Sequence, residues 1–230
     1  MVRNYLLGIV LAVLVVVTTS TRAQAGVIYS DLGPGDSFQT GVGWTIDPIS
    51  PLGPGTVRQE VAMSFIVPAG FDYIFTSLDI ALNRFGLVGS GSLDLLLTND
   101  SAGIPGTVIE TLSVTNPPDG LFNVLSVSMP TLTAGTTYWI ATQSLDYVGA
   151  WNYNNTSAIG LATFSHDNGS SWNSPTTETL GAFRINGNQV PEPSSVVLFC
   201  AGSVAVLVHG WCRRRVRDKG DRSEWHQLSA

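Results

Sequence analysis

The chain has 230 residues, 44% of them hydrophobic and only 12% charged, with a formal net charge of −6 and two cysteines. The charge is unevenly placed: between Gly26 and Gln189 the basic residues are Arg58, Arg84 and Arg184, against thirteen Asp and Glu, a net of −10. Such a stretch repels phosphate backbones, so nucleic acid is not an expected partner. Both cysteines lie beyond it, at 200 and 212, so its stability must come from a core and not from disulfides.

Residues 1–25 have the three parts of a secretory signal peptide: Arg3, an apolar run from Leu6 to Val17, and the small-residue triplet Ala23-Gln24-Ala25. Twelve apolar residues are few for a membrane span, so cleavage by signal peptidase at Ala23 and Ala25 is expected over retention as an anchor.

The next segment, 26–188, alternates with a period of two. Val61, Met63, Phe65 and Val67 share a face, as do Leu78, Ile80 and Leu82, and again Leu93, Leu95 and Leu97. Further strand-like runs are "TVIETLSV", "LFNVLSVSM", "TTYWIAT", "VGAWNYN", "LATFSH" and "GAFRIN", separated by turn sequences such as "SAGIPG", "NPPDG" and "HDNGSS". No capped amphipathic helix interrupts them. About ten strands without intervening helices predict an all-β, antiparallel two-sheet sandwich of jelly-roll or Ig-like kind. "GNQVPEPSS" reads as the linker that ends it.

From Ser194 to Trp211 the chain carries no Asp, Glu, Lys or Arg. As a transmembrane helix it would reach about 27 Å, just enough for a bilayer core. Pro193 suits the start of such a helix, with Ser194 and Ser195 beside it as caps. Arg213, Arg214, Arg215 and Arg217 would stay on the cytoplasmic side and leave the strand-rich domain outside. Permanent anchor and transient anchor are both compatible with this pattern. A short polar tail, 218–230, follows.

"VPEPSS", an apolar run and "CRRR" together resemble the PEP-CTERM sorting signal of exported bacterial proteins, over residues 189–217. That resemblance implies that an exosortase, a membrane-embedded cysteine enzyme, recognises Val190, Pro191, Glu192 and Pro193. It would remove the hydrophobic tail and pass the protein from the inner membrane to the cell surface or extracellular matrix, with Arg213, Arg214 and Arg215 as the stop-transfer cluster. The preceding domain resembles choice-of-anchor R domains through "YSDLGPGDSFQTGVGWTI", "QEVAMSF", "TNDSAGIPGTVIETL", "LTAGTTYWIA", "AWNYNNT" and "GAFRI", in that order. This implies a domain attached to the cell surface through a sorting signal; with the sparse catalytic chemistry set out below, a non-enzymatic surface or extracellular-matrix protein is expected.

Catalytic chemistry is poorly provided for. Between residues 26 and 189 there is one histidine, His166, in a turn sequence, and no cysteine or lysine, so a nucleophile-His system would rest on His166 alone. Zinc lacks ligands there as well. Asp79 and Asp94 alternate with leucines and are expected to face solvent rather than to form a glycosidase pair. No cofactor is expected. "TNDSAG" and "HDNGSS" offer oxygen atoms that Ca2+ would accept, but neither fits the twelve-residue loop, and Asx-turns explain both. Strand aromatics usually pack in the core. Trp151, Tyr153 and Trp172, flanked by Asn152, Asn154, Asn155 and Asn173, are the set expected at the surface. They carry the alternative reading, a carbohydrate-binding module stacking on extracellular polysaccharide.

Overall fold

In the computed structural model, which describes residues 25–48, 58–85 and 91–190, Ala23–Val190 forms one compact unit. Thirteen strands and no helix occur among the described residues. Numbered in chain order, seven form the first sheet: β1 (Ala25–Ser30), β2 (Gly43–Ile46), β4 (Tyr73–Arg84), β7 (Gly120–Leu125), β8 (Thr131–Leu132), β10 (Gly149–Asn152) and β13 (Phe183–Gln189). Six form the second: β3 (Glu60–Ile66), β5 (Ser92–Ser101), β6 (Ile104–Thr115), β9 (Thr137–Ser144), β11 (Ile159–Ser165) and β12 (Thr176–Thr179). Their order is β1-β13-β4-β10-β2, with β7 and β8 also on β4, and β12-β11-β3-β9-β5-β6. Every pairing between strands is antiparallel and neither sheet closes on itself.

The period-two pattern explains why both sheets bury one face. Phe75, Leu78, Ile80 and Phe183 of the first sheet join Val61, Met63, Phe65 and Leu95 of the second in one buried cluster. The expected faces of β3, the second half of β4, and β5 are all buried there. Between β5 and β6 the chain reverses at Ala102 and Gly103, both in the left-handed region, as a tight two-residue hairpin turn requires. A smaller cluster of Ala62, Leu96, Trp139 and Ala141 lies apart from it, with Trp172 packed against it.

At four places the structure adds to the sequence reading or departs from it. "GNQ", expected in the linker, belongs to β13: Gly187, Asn188 and Gln189 pair with Phe75, Ile74 and Tyr73. Ala25, placed in the leader, pairs with Asn188 at the first rung of β1. "LFNVLSVSM" does not remain a strand, because β7 stops at Leu125 and the amides of Val127 and Ser128 turn to the carboxylate of Glu110. Asp79 is buried rather than solvated, held by Asn123, Arg184 and Asn186.

Trp151 marks the centre of the core. It is 0% exposed, donates its indole N–H to the Ala182 carbonyl at 3.1 Å, and meets the Phe183 ring edge-on at 5.5 Å. The ring lies over Gly181, where an added Cβ would fall 2.5 Å from Trp151 Cδ1. Gly181→Ala is therefore expected to destabilise the domain by about 1–3 kcal/mol through overpacking, read as a lower urea midpoint at unchanged slope. A midpoint equal to that of the parent would contradict this packing.

Candidate functional site

The expected aromatic set does not assemble. Trp151, expected at the surface, is a core residue, because its strand turns that side toward the second sheet. Tyr153 is half-buried and packs edge-on against Trp44 at 6.1 Å and 85°. Trp44 in turn donates its indole N–H to the Thr179 carbonyl at 2.9 Å. Trp172 is half-buried against the separate Trp139 cluster. The three rings thus belong to different packing environments, and Trp151 presents no face to a sugar.

The two calcium-candidate loops are bound within the protein. Asp100 accepts the Gly103 amide at 3.1 Å and the Trp139 indole N–H at 2.8 Å. Asp167 accepts the hydroxyls of Ser165 and Ser171 and the Ser171 amide, and these bonds draw its pKa down to about 2. No group of three or more metal-ligating side chains occurs among the described residues. His166 is exposed in its turn and bonds through Nδ1 to the Arg58 carbonyl.

What the strand order does bring together is the start and the end of the domain. β1 and β13 are adjacent: Ala25 lies opposite Asn188, and Gly26 opposite Gly187. On its other side β13 pairs with β4, ending at Gln189 opposite Tyr73. One further backbone bond, from the Val190 amide to the Asp72 carbonyl at 2.8 Å, completes the ladder. Pro191, next in sequence, has no amide hydrogen with which to extend it. Of the expected processing residues, Ala25 and Val190 therefore stand at one corner of the domain. Ala23, Pro191, Glu192, Pro193, Arg213, Arg214 and Arg215 lie outside the described residues.

Four carboxylates are buried beyond these features, a property that neither periodicity nor turn chemistry signals. Glu60 accepts Arg58 Nε at 2.9 Å and the Ser144 amide at 2.8 Å, yet burial outweighs both and raises its pKa. Asp79 accepts Arg184 Nε at 2.7 Å and the amides of Asn123 and Asn186, and these bonds overcome burial and lower its pKa. Glu110 is lowered in the same way by Ser126, Val127 and Ser128. Asp31 differs. Its Oδ1 accepts the Phe183 amide at 2.7 Å, while Oδ2 is buried with no hydrogen-bond partner among the described residues. Burial pushes it up to about 7.

No family model matches this chain, and no curated protein matches it.

Asp31 has a measurable consequence. The unfolded chain releases this proton near the ordinary Asp value of 3.8 and the folded chain near 7. Its contribution is therefore complete below about pH 4 and lost as pH rises through 7, a loss on the order of 4 kcal/mol at about 1.4 kcal/mol per pK unit. Asp31→Asn keeps an acceptor for the Phe183 amide but does not titrate. The stability of Asp31→Asn relative to the parent is expected to rise between pH 4 and pH 8 in parallel urea titrations. Curves that stay parallel across that range would contradict it.

Proposed function

We propose that the chain is an exported, non-enzymatic surface or extracellular-matrix protein, sorted by an exosortase through Val190, Pro191, Glu192 and Pro193. On this reading the domain is a sandwich of jelly-roll or Ig-like kind, related to choice-of-anchor R domains. Signal peptidase removes residues 1–25, and residues 194–211 hold the domain in the inner membrane as a transmembrane helix until processing releases it to the surface or matrix.

The observation that supports this most is the pairing of β1 with β13. It sets both ends of the domain side by side, and the ladder of β13 on β4 closes at Val190, the first of the four residues that the sorting enzyme would read. Cleavage after Ala25 would remove a single rung of β1 and leave Gly26 paired with Gly187. Cleavage near Pro191 to Pro193 would remove no described rung at all. A domain built this way keeps its core through both processing steps.

The test is the intact mass of the protein from the surface and culture fluid of its native host. A species lacking residues 1–25 and ending near Pro191 to Pro193 is expected. Replacing Pro191, Glu192 and Pro193 with Ala should leave residues 194–230 attached and the protein in the membrane fraction. If the parent protein also keeps residues 194–230, the tail is a permanent anchor and the sorting role fails.

A further inference from the structure

One end of the domain gathers apolar side chains that the core does not use. β3 ends there at Ile66, β4 begins at Tyr73, β9 begins at Thr137 and β13 ends at Gln189. The ladder ties these together through Ile66 with Thr137, Tyr73 with Leu132, and Tyr73 with Gln189. Residues 125–130 run along the same end, with the Ser126 amide on the Thr76 carbonyl and the Phe75 amide on the Pro130 carbonyl. Alternating apolar residues such as Leu125, Val127 and Met129 would ordinarily continue a strand and bury one face. Here Glu110 prevents that. Reaching across from β6 of the second sheet, its carboxylate accepts the Ser126 hydroxyl at 2.7 Å and the amides of Val127 and Ser128 at 2.7 and 2.8 Å. Met129 then turns through φ 47°, a conformation that a side chain of this size seldom adopts. The result is a fixed loop whose three apolar side chains point outward, 70%, 86% and 56% exposed, with Phe71 exposed in the neighbouring turn.

The charges at this end do not compete. Arg58 and Arg84 lie at the opposite end, beside the start of β3 and at the end of β4, and Arg184 is tied between Asp36 and Asp79. Asp72 accepts the Ala134 amide, and Asp100 is bonded as described above. The chain leaves the domain here, and Val190 stands only four Cα steps from Ser194, where the membrane span would begin. Fully extended, they reach at most about 14 Å.

We propose that this end of the domain rests on the bilayer, with Leu125, Val127, Met129 and Phe71 entering the uncharged boundary between headgroups and acyl chains. The proposal depends on the reading of residues 194–211 as a membrane span, since the short tether supplies the proximity that three or four apolar side chains alone do not. Docking would hold the Val190 to Pro193 stretch at the membrane surface, within reach of a membrane-embedded enzyme. Removal of the tail would end the tether, and the weak apolar contact would then let the domain go.

The test uses the full chain with Cys200→Ser and Cys212→Ser, reconstituted in phosphatidylcholine vesicles. An environment-sensitive fluorophore is placed through Val127→Cys, or through Leu145→Cys at the opposite end, where Leu145 is also exposed. Vesicle flotation reads the span, and quenching by lipid-borne nitroxide against aqueous iodide reads the docking. Floating vesicles in which nitroxide quenches the label at 127 several-fold more than the label at 145 are the expected result, with the difference reduced by Leu125→Ser and Met129→Ser. Floating vesicles with equal iodide quenching at both positions would overturn the docking while leaving the span intact. Failure to float would overturn the span and the docking with it. Protection of position 127 from both quenchers that grows with protein density would assign the surface to a second copy of the chain, and the lipid proposal would fall.

Discussion

The rest of the structure depends on the pairing of the first strand with the last. β13 is flanked by β1 on one side and β4 on the other, so the domain cannot be complete until residues 183–189 have been made. The same pairing places the entry and exit of the chain at one corner. An internal last strand also means that a break within Phe183–Gln189 would open the first sheet, whereas a break after Val190 costs no described backbone bond. The boundary between domain and tail is thereby sharp, and it falls where the sequence begins its proline-rich motif.

The second constraint is the lack of covalent help. With no cysteine between residues 26 and 189, the sheets are joined by their shared apolar core, and a few buried carboxylates tie distant segments of the chain together. Glu110 fastens the loop after β7 of the first sheet to β6 of the second, and Glu60 fastens β3 to β9 while meeting Arg58. Asp79 sits between Asn123 of β7 and Arg184 and Asn186 of β13, next to the strand that carries it. A carboxylate that accepts backbone amides is worth more than an exposed ion pair, because leaving those amides unpaired in a buried place costs free energy as well. Asp31 shows the limit of this device: one oxygen is bonded and the other is not, so the group favours its neutral form up to about pH 7.

Strands whose apolar residues alternate without interruption were legible in the sequence. β3, β5 and the second half of β4 are placed with the correct residues inward because Val61, Leu78 and Leu93 each begin an uninterrupted period of two. β2, β8 and β12 were not legible, since four residues beginning with glycine, two residues, and a polar Thr-Thr-Glu-Thr edge carry no period. The end of β7 was misread because Leu125, Val127 and Met129 continue the alternation after the backbone has left the sheet. Only Glu110, 17 residues before Val127, accounts for that departure, and local patterns do not register a partner so distant. Trp151 was misplaced for a related reason: its asparagine neighbours suggested a wet surface, but Asn154 spends its amide on the carbonyls of Ala158 and Leu180. Pro191, Glu192 and Pro193 are plain in the sequence, while their place directly after the end of the ladder needed the pairing of β13.

The adjacency of the two ends is tested most directly by amide hydrogen exchange on the full chain and on a chain truncated after Pro193. Amides of residues 26–30 and 183–189 should be protected to a similar degree in each stretch, and that protection should be unchanged once the tail is gone. Rapid exchange across 26–30, with 183–189 still protected, would mean that the first strand is not held against the last, and the adjacency of the two ends would be contradicted.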